Sequence, residues 1–230
     1  MKIWLVSIFP QIYDSFLKTS LIDKSIKKWV VEFFFVNPRD FCEDRHKQID
    51  DYPYGGWAGM ILKAKPFIDA VENITKKHLK DKNLKILYLS PSKKFFSQKK
   101  AKEYSQVNNL ILVSGRYEWI DFRFEQYMFQ KYSDKFEKIS IGPYITMGGE
   151  VPSMIVIESV VRLLPGVIGD QNSTIEESYS DPTHSYLEYP QYTRPAEVYG
   201  LKVPSVLLSW NHGEIKKWRQ KNSLKIDVDK

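Results

Sequence analysis

Short apolar runs of strand length alternate with helical patterns along most of this 230-residue chain, and that alternation limits the fold more than any other feature. The segments "KIWLVSIF", "VVEFFFV", "NLKILYLSP", "NLILVSGRYE" and "EKISIGPYITMGGE" read as strands that are buried or end in turns. Between them, "KPFIDAVENITKKHLK" places Phe67, Ile68, Val71 and Ile74 on one helical face, with Pro66 near its start. "SQKKAKEYSQ" is a polar helix with Ser97 at its N-cap. "VPSMIVIESVVRLLPG" is a helix with Pro152 near its first turn and Pro165 just beyond its end. Strands alternating with helices predict an α/β fold with a largely parallel sheet.

The pattern changes after Pro165. "DQNSTIEESYSDPTHSYLEYPQYTRP" is polar, aperiodic and interrupted by prolines, so it reads as a linker or extended loop. A short loop then feeds the basic helix "EIKKWR". The expected division is an α/β domain over 1–164, a linker over 165–185 and a small helical C-terminal domain over 186–230.

Charge and cysteine usage narrow the setting. A net charge of +6 and a pI near 9.1 are a weak hint of a polyanionic partner, since many basic proteins bind none and paired lysines are ordinarily solvated helix faces. Cys42 is the single cysteine, so no internal disulfide forms, which fits a reducing cytoplasm. No run reaches the length of a membrane span. His46, His78, His184 and His212 lack metal-ligand spacing, and neither GxGxxG nor GxxxxGK[ST] occurs.

Three strand-to-loop exits share a character: Ser90-Pro91, Ser114-Gly115, and the stretch carrying Gly142, Gly148 and Gly149. In parallel α/β folds ligands bind beyond the carboxyl ends of the strands, and glycines there let backbone groups reach a ligand. The loop "PYGGWAGM" places Trp57 among three glycines. Glu158 and Arg162 stand at i and i+4, in the favourable order for a helix ion pair. Glu176 and Glu177 lie in the polar stretch.

Taken together, "NPRDFCEDRHKQIDDYPYGGWAGM", "YLSP", "LVSGRYEWID", "SIGPYITMGGEVPSM", "RLLPGVIG", "EESYS", "YTRP" and "VPSVLLSWNHGEIKKWR" resemble, in order, the bacterial tRNA (guanine-N1)-methyltransferases of the SPOUT superfamily. The resemblance runs from the N-terminus to about Leu224. It implies an α/β domain threaded into a deep trefoil knot, an exception to the rule against knotted chains. It implies an S-adenosylmethionine pocket lined by Leu89, Ser90, Pro91, Gly115, Tyr117, Glu118, Ser140, Ile141, Gly142, Tyr144, Gly148 and Gly149. It implies methyl transfer to N1 of the guanine immediately 3′ of the anticodon in tRNA.

Carried over residue by residue, the family's arginine falls on Arg162 and its aspartate on Glu177, a carboxylate one methylene longer. The carboxylate would take the N1 proton and the guanidinium would face the carbonyl oxygen beside it. A homodimer with an active site built from both subunits is also implied. Mg2+ is admitted as a second cofactor, although no resident metal site is legible. Two rival readings follow from the departures: a catalytically impaired RNA-binding relic, and a knotted methyltransferase acting at another RNA position. Pro143, Phe122 and Lys93 depart from the family pattern, and the C-terminal helical domain is expected to be short.

The tryptophans depart most. Trp57, Trp119 and Trp210, joined by Trp29 and Trp4, stand where the family carries glycine, whereas Trp218 matches a family tryptophan. Glycine is scarce, at 11 residues in 230, against about 7% typically. The UGA codon means glycine in some bacterial lineages and tryptophan in others. The expectation is that these positions are glycine codons read as tryptophan.

Overall fold

The computed structural model describes residues 1–56, 59–78, 83–116, 119–169, 177–179 and 186–225. The chain divides into two compact units, Met1–Gly169 and Asp170–Lys230.

The first unit runs β1 (Lys2–Val6), α1 (Asp14–Leu17), α2 (Ser20–Lys27), β2 (Glu32–Val36), β3 (Asp50–Asp51), β4 (Ile61–Leu62) and α3 (Ala64–His78). It continues with β5 (Leu84–Leu89), α4 (Gln98–Tyr104), β6 (Asn109–Ser114), α5 (Arg123–Tyr132), β7 (Phe136–Ile139) and α6 (Glu150–Val161). Five strands form one sheet in the order β2-β1-β6-β5-β7, and every pairing in it is parallel. The small β3–β4 pair is antiparallel.

Strand residues alternate between two faces, and both faces are covered. Val6, Ile86, Tyr88, Ile111 and Val113 meet Phe67, Val71 and Ile74 of α3 and Phe124 and Met128 of α5. Ile3, Leu5, Leu87, Leu89, Leu110 and Leu112 meet Ile22 of α2, Tyr104 of α4 and Val156, Ile157 and Val160 of α6. The apolar runs of the inner strands β1, β6 and β5 are continuous for this reason, whereas the edge strand β2 leaves Phe35 exposed. The parallel α/β expectation therefore holds. Ser97 caps α4 as expected, its hydroxyl accepting from the Lys100 N–H at 3.4 Å.

The second unit contains β8 (Tyr186–Leu187), β9 (Glu197–Val198), β10 (Leu201–Lys202), α7 (Ser205–Leu208), α8 (His212–Asn222) and β11 (Leu224–Lys225). β8 pairs with β11, and β9 with β10. α8 is the expected basic helix, capped by Asn211, whose side chain accepts from the Glu214 N–H at 3.2 Å. Trp218 packs edge-on against Tyr189, and the Arg219 guanidinium lies 4.9 Å from the same Tyr189 ring.

Candidate active site

The sheet order sets β6, β5 and β7 side by side, so their carboxyl ends open on a common region. A cavity of about 530 Å3 lies there, within the range of about 300–1,000 Å3 usual for ligand pockets. Of the residues picked from sequence, Leu89, Ser90, Pro91, Gly115, Ser140, Ile141, Tyr144, Gly148 and Gly149 all line it. Gly142 sits in the same loop but off the wall, its N–H donating to Ser140 Oγ at 3.2 Å. Tyr117, Glu118 and Trp57 lie outside the described residues. Trp119, also flagged from sequence, lines the cavity.

Close backbone approach builds one side of the cavity. The Gly149 N–H donates to the Gly115 carbonyl at 2.9 Å, and Arg116 and Gly148 form an isolated antiparallel bridge. A Cβ on Gly149 would stand 2.8 Å from Ser114 Cα, and one on Gly148 would stand 2.6 Å from Glu150 Oε2. Glycine is needed at both positions to let the loop reach β6.

Polar groups behind this wall are almost all paired. Glu150 is fully buried, accepting from Ser7 Oγ at 2.7 Å and from Arg116 Nε at 2.9 Å. The Tyr13 hydroxyl bonds Ser153 Oγ at 2.7 Å and Ser114 Oγ at 3.3 Å, and burial pushes its pKa up to about 12. Burial likewise raises Tyr88 to about 12, and its hydroxyl accepts the Ile120 N–H at 3.4 Å. Ser90 Oγ is the exception. It is buried on the cavity wall, near the Tyr88 hydroxyl, yet among the described residues it has no hydrogen-bond partner of acceptable geometry. A buried hydroxyl without a partner is costly, and here it faces a space sized for a ligand.

The profile of the family described as tRNA (guanine-1)-methyltransferase TrmD matches residues 1–229. The chain belongs to this family. Similar curated proteins carry the name tRNA (guanine-N(1)-)-methyltransferase. The Dictyoglomus turgidum protein is 44% identical over 225 residues, covering 98% of this chain and 86% of its own length. The Bacillus pumilus protein is 44% identical, with 98% and 88% covered. The Carboxydothermus hydrogenoformans protein is 46% identical over 224 residues, with 97% and 83% covered.

For a member of the methyltransferase family, the placement of Arg162 and Glu177 matters. Arg162 follows the last turn of α6 in the first unit and lines a smaller hollow of about 310 Å3 with Phe16, Ser20 and Glu158, not the glycine-walled cavity. Glu177 belongs to the second unit, where it borders a groove formed with Tyr186, Trp210 and Arg219. Arg116, Thr146, Met147 and Pro152 line the glycine-walled cavity without having been singled out from sequence. Arg116 was visible only as part of "GRYE", and its partner Glu150 is 34 residues away, so no local spacing linked them. Among the described residues no cluster of three or more His, Cys, Asp or Glu side chains could hold a metal ion, and no helix is long and apolar enough to cross a membrane.

Proposed function

We propose that this chain transfers a methyl group from S-adenosylmethionine to N1 of the guanine immediately 3′ of the anticodon in tRNA. The carrying observation is the cavity where three strand exits meet, with the buried Ser90 hydroxyl awaiting a partner. The residues present fit the cofactor. The wall supplies backbone groups at Leu89, Gly115, Ile141, Gly148 and Gly149, and apolar surface at Pro91, Ile139 and Pro152. Bound there, S-adenosylmethionine supplies an electrophilic methyl on a sulfonium.

The remaining chemistry falls to side chains. N1 of guanine carries a proton and becomes a competent nucleophile only on losing it. The role of general base, worth about 10²- to 10⁴-fold, is assigned to Glu177. Charge then develops on the adjacent carbonyl oxygen, and the role of receiving it is assigned to Arg162. Since Arg162 does not line the cavity of its own unit, the reading includes a homodimer in which a second copy completes the site. The exposed Val151 and Ile155 on α6 support that assembly. The trefoil knot belongs to the same reading, supported by the way the Gly142–Gly149 loop is drawn back against Gly115. The basic α8 and the net charge of +6 are suited to tRNA phosphates. Cytoplasmic location follows from the substrate. Mg2+ is assigned no ligands.

Labelled S-adenosylmethionine should transfer its methyl to a tRNA transcript with guanine at that position and not to one with adenine. Arg162→Ala and Glu177→Gln should lower turnover by at least about 10²-fold while the calorimetric affinity for the cofactor stays unchanged. Equal labelling of both transcripts, or loss of cofactor binding in parallel with activity, contradicts the assignment.

A further inference from the structure

Glu150 is 0% exposed although it opens α6 beside the cavity. Its Oε1 accepts from Ser7 at the end of β1, and its Oε2 accepts from Arg116 just past β6. The Arg116 guanidinium lies 4.9 Å from the centre of the Phe9 ring. A second polar chain runs parallel: Ser153 Oγ donates to the Glu150 carbonyl at 2.6 Å and bonds the Tyr13 hydroxyl, which reaches Ser114. The β1 exit, the β6 exit and the first turn of α6 are thereby joined through one buried carboxylate. That carboxylate is tolerated because it has a guanidinium partner, a hydroxyl donor and the positive end of α6.

We propose that Glu150 is a positioning residue for the methyl donor. With Arg116 it sets the separation between Gly115 and Gly148–Gly149, which form opposite parts of one wall. The proposal rests on reading that cavity as the cofactor pocket. Neither residue need touch the reacting atoms. Their effect is on how closely two backbone segments approach, and a shift of about 1 Å in such a wall can cost around 10²-fold. The ion pair also fixes the Arg116 side chain, the one charged side chain among the described residues that line the cavity.

The test uses the full-length protein and three variants, Glu150→Gln, Glu150→Asp and Arg116→Lys. Calorimetry with S-adenosylmethionine and with S-adenosylhomocysteine gives Kd and stoichiometry separately. For Glu150→Gln the Kd for both should rise about tenfold or more, with stoichiometry near that of the wild type and the KM for tRNA unchanged. Glu150→Asp, which keeps the charge, should recover part of the affinity. A lower stoichiometry at unchanged Kd means that the residue only holds the fold together and overturns the proposal. So does an unchanged Kd at full stoichiometry. If the wild-type protein itself fails to bind either compound, the reading of the cavity fails instead.

A different observation carries a second inference. Trp29 and Trp210 have φ of +59° and +57°, and Ser20, Lys47, Tyr179 and Tyr199 lie at +46° to +62°, a region non-glycine residues occupy only a few per cent of the time. The two tryptophans are the ones that stand directly after a helix C-cap. Trp29 follows Lys28, the C-cap of α2. Its N–H donates to the Ile26 carbonyl at 2.9 Å, and the Val30 N–H donates to the Ser25 carbonyl at 3.0 Å. These are the paired bonds of a Schellman helix ending, whose left-handed residue is usually glycine. Trp210 follows Ser209, the C-cap of α7, and precedes the N-cap of α8. The two residues are 80% and 86% exposed, so burial of the indole does not offset the backbone cost. Trp4, by contrast, stacks on Phe34 at 4.3 Å within β1 and lacks this signature.

We infer that positions 29 and 210 are glycine in the protein as its source makes it, encoded by UGA read as glycine. The coding DNA decides: TGA at 29 and 210 with TGG at 218 is expected, and TGG at 29 and 210 overturns the inference. At the protein level Trp29→Gly and Trp210→Gly should each raise the melting temperature by about 2–4 °C. A fall at both positions counts against it.

Discussion

Ser90 shows how a single side chain separates stability from function. Its buried, unpaired hydroxyl contributes nothing to folding, so Ser90→Ala should leave the melting temperature unchanged or slightly raised. The same variant should weaken S-adenosylmethionine by about 1 kcal/mol or more, read by calorimetry. Equal loss of both would mean that the hydroxyl has a structural partner. Ser90, Gly115, Gly148 and Gly149 were legible in the sequence because strand ends followed by glycine or Ser-Pro mark where a parallel sheet exposes its backbone. Glu150 was not legible. A glutamate at the first turn of a helix ordinarily faces water, and only the three-way convergence of β1, β6 and α6 buries it.

Helices and strands were legible where one periodicity dominated. β1, β5 and β6 are buried on both faces and read as unbroken apolar runs. α3 kept its 3.6-residue stripe. The sequence reading assigned nothing to Arg123–Tyr132, where α5 forms. Its residues are rich in aromatics, weak helix formers, and its helicity comes from packing Phe124 and Met128 against α3 and the sheet. α6 is apolar nearly all round. Its inner face is buried, while Val151 and Ile155 are 51% and 41% exposed one turn apart. Ile155→Glu should therefore convert the protein to a monomer in sedimentation velocity and abolish methyl transfer without unfolding it. An unchanged mass would contradict the proposed dimer contact through α6. At the sheet edge, Glu137 of β7 bonds Lys100 at 2.8 Å and Lys85 at 3.1 Å. Burial alone would raise its pKa, but the two lysines hold it below the ordinary 4.5. A depressed carboxylate stabilises the fold above pH 4.5, and that contribution is lost as pH falls through the folded value. Glu137→Gln should cost about 1.5–3 kcal/mol at pH 7 in urea unfolding, and the difference should shrink toward pH ~3. A difference that is constant with pH would show that the charge is not the source.

At the scale of the molecule, the +6 charge and the cavity answer to salt differently. The KM for tRNA should rise steeply between about 50 and 200 mM salt through counterion release. The wall proposed for S-adenosylmethionine carries one charged side chain, Arg116, among its described residues, so on that reading the Kd for S-adenosylmethionine should stay nearly constant over the same range. Matching salt slopes for the two ligands would contradict a phosphate-dominated tRNA contact. The order of strands was hidden from sequence, because parallel neighbours are far apart in the chain and share no turn.

That order also constrains how the chain comes off the ribosome. β6 is the middle strand, and it joins β1 to β5. Until Asn109–Ser114 has been synthesised, β1 can pair only with β2, and β5 has no neighbour at all. β1 keeps one apolar edge unpaired from Val6 until Asn109–Ser114 has been made, and β5 keeps both of its edges unpaired from Leu89 until then, so folding is dominated by contacts distant in the chain.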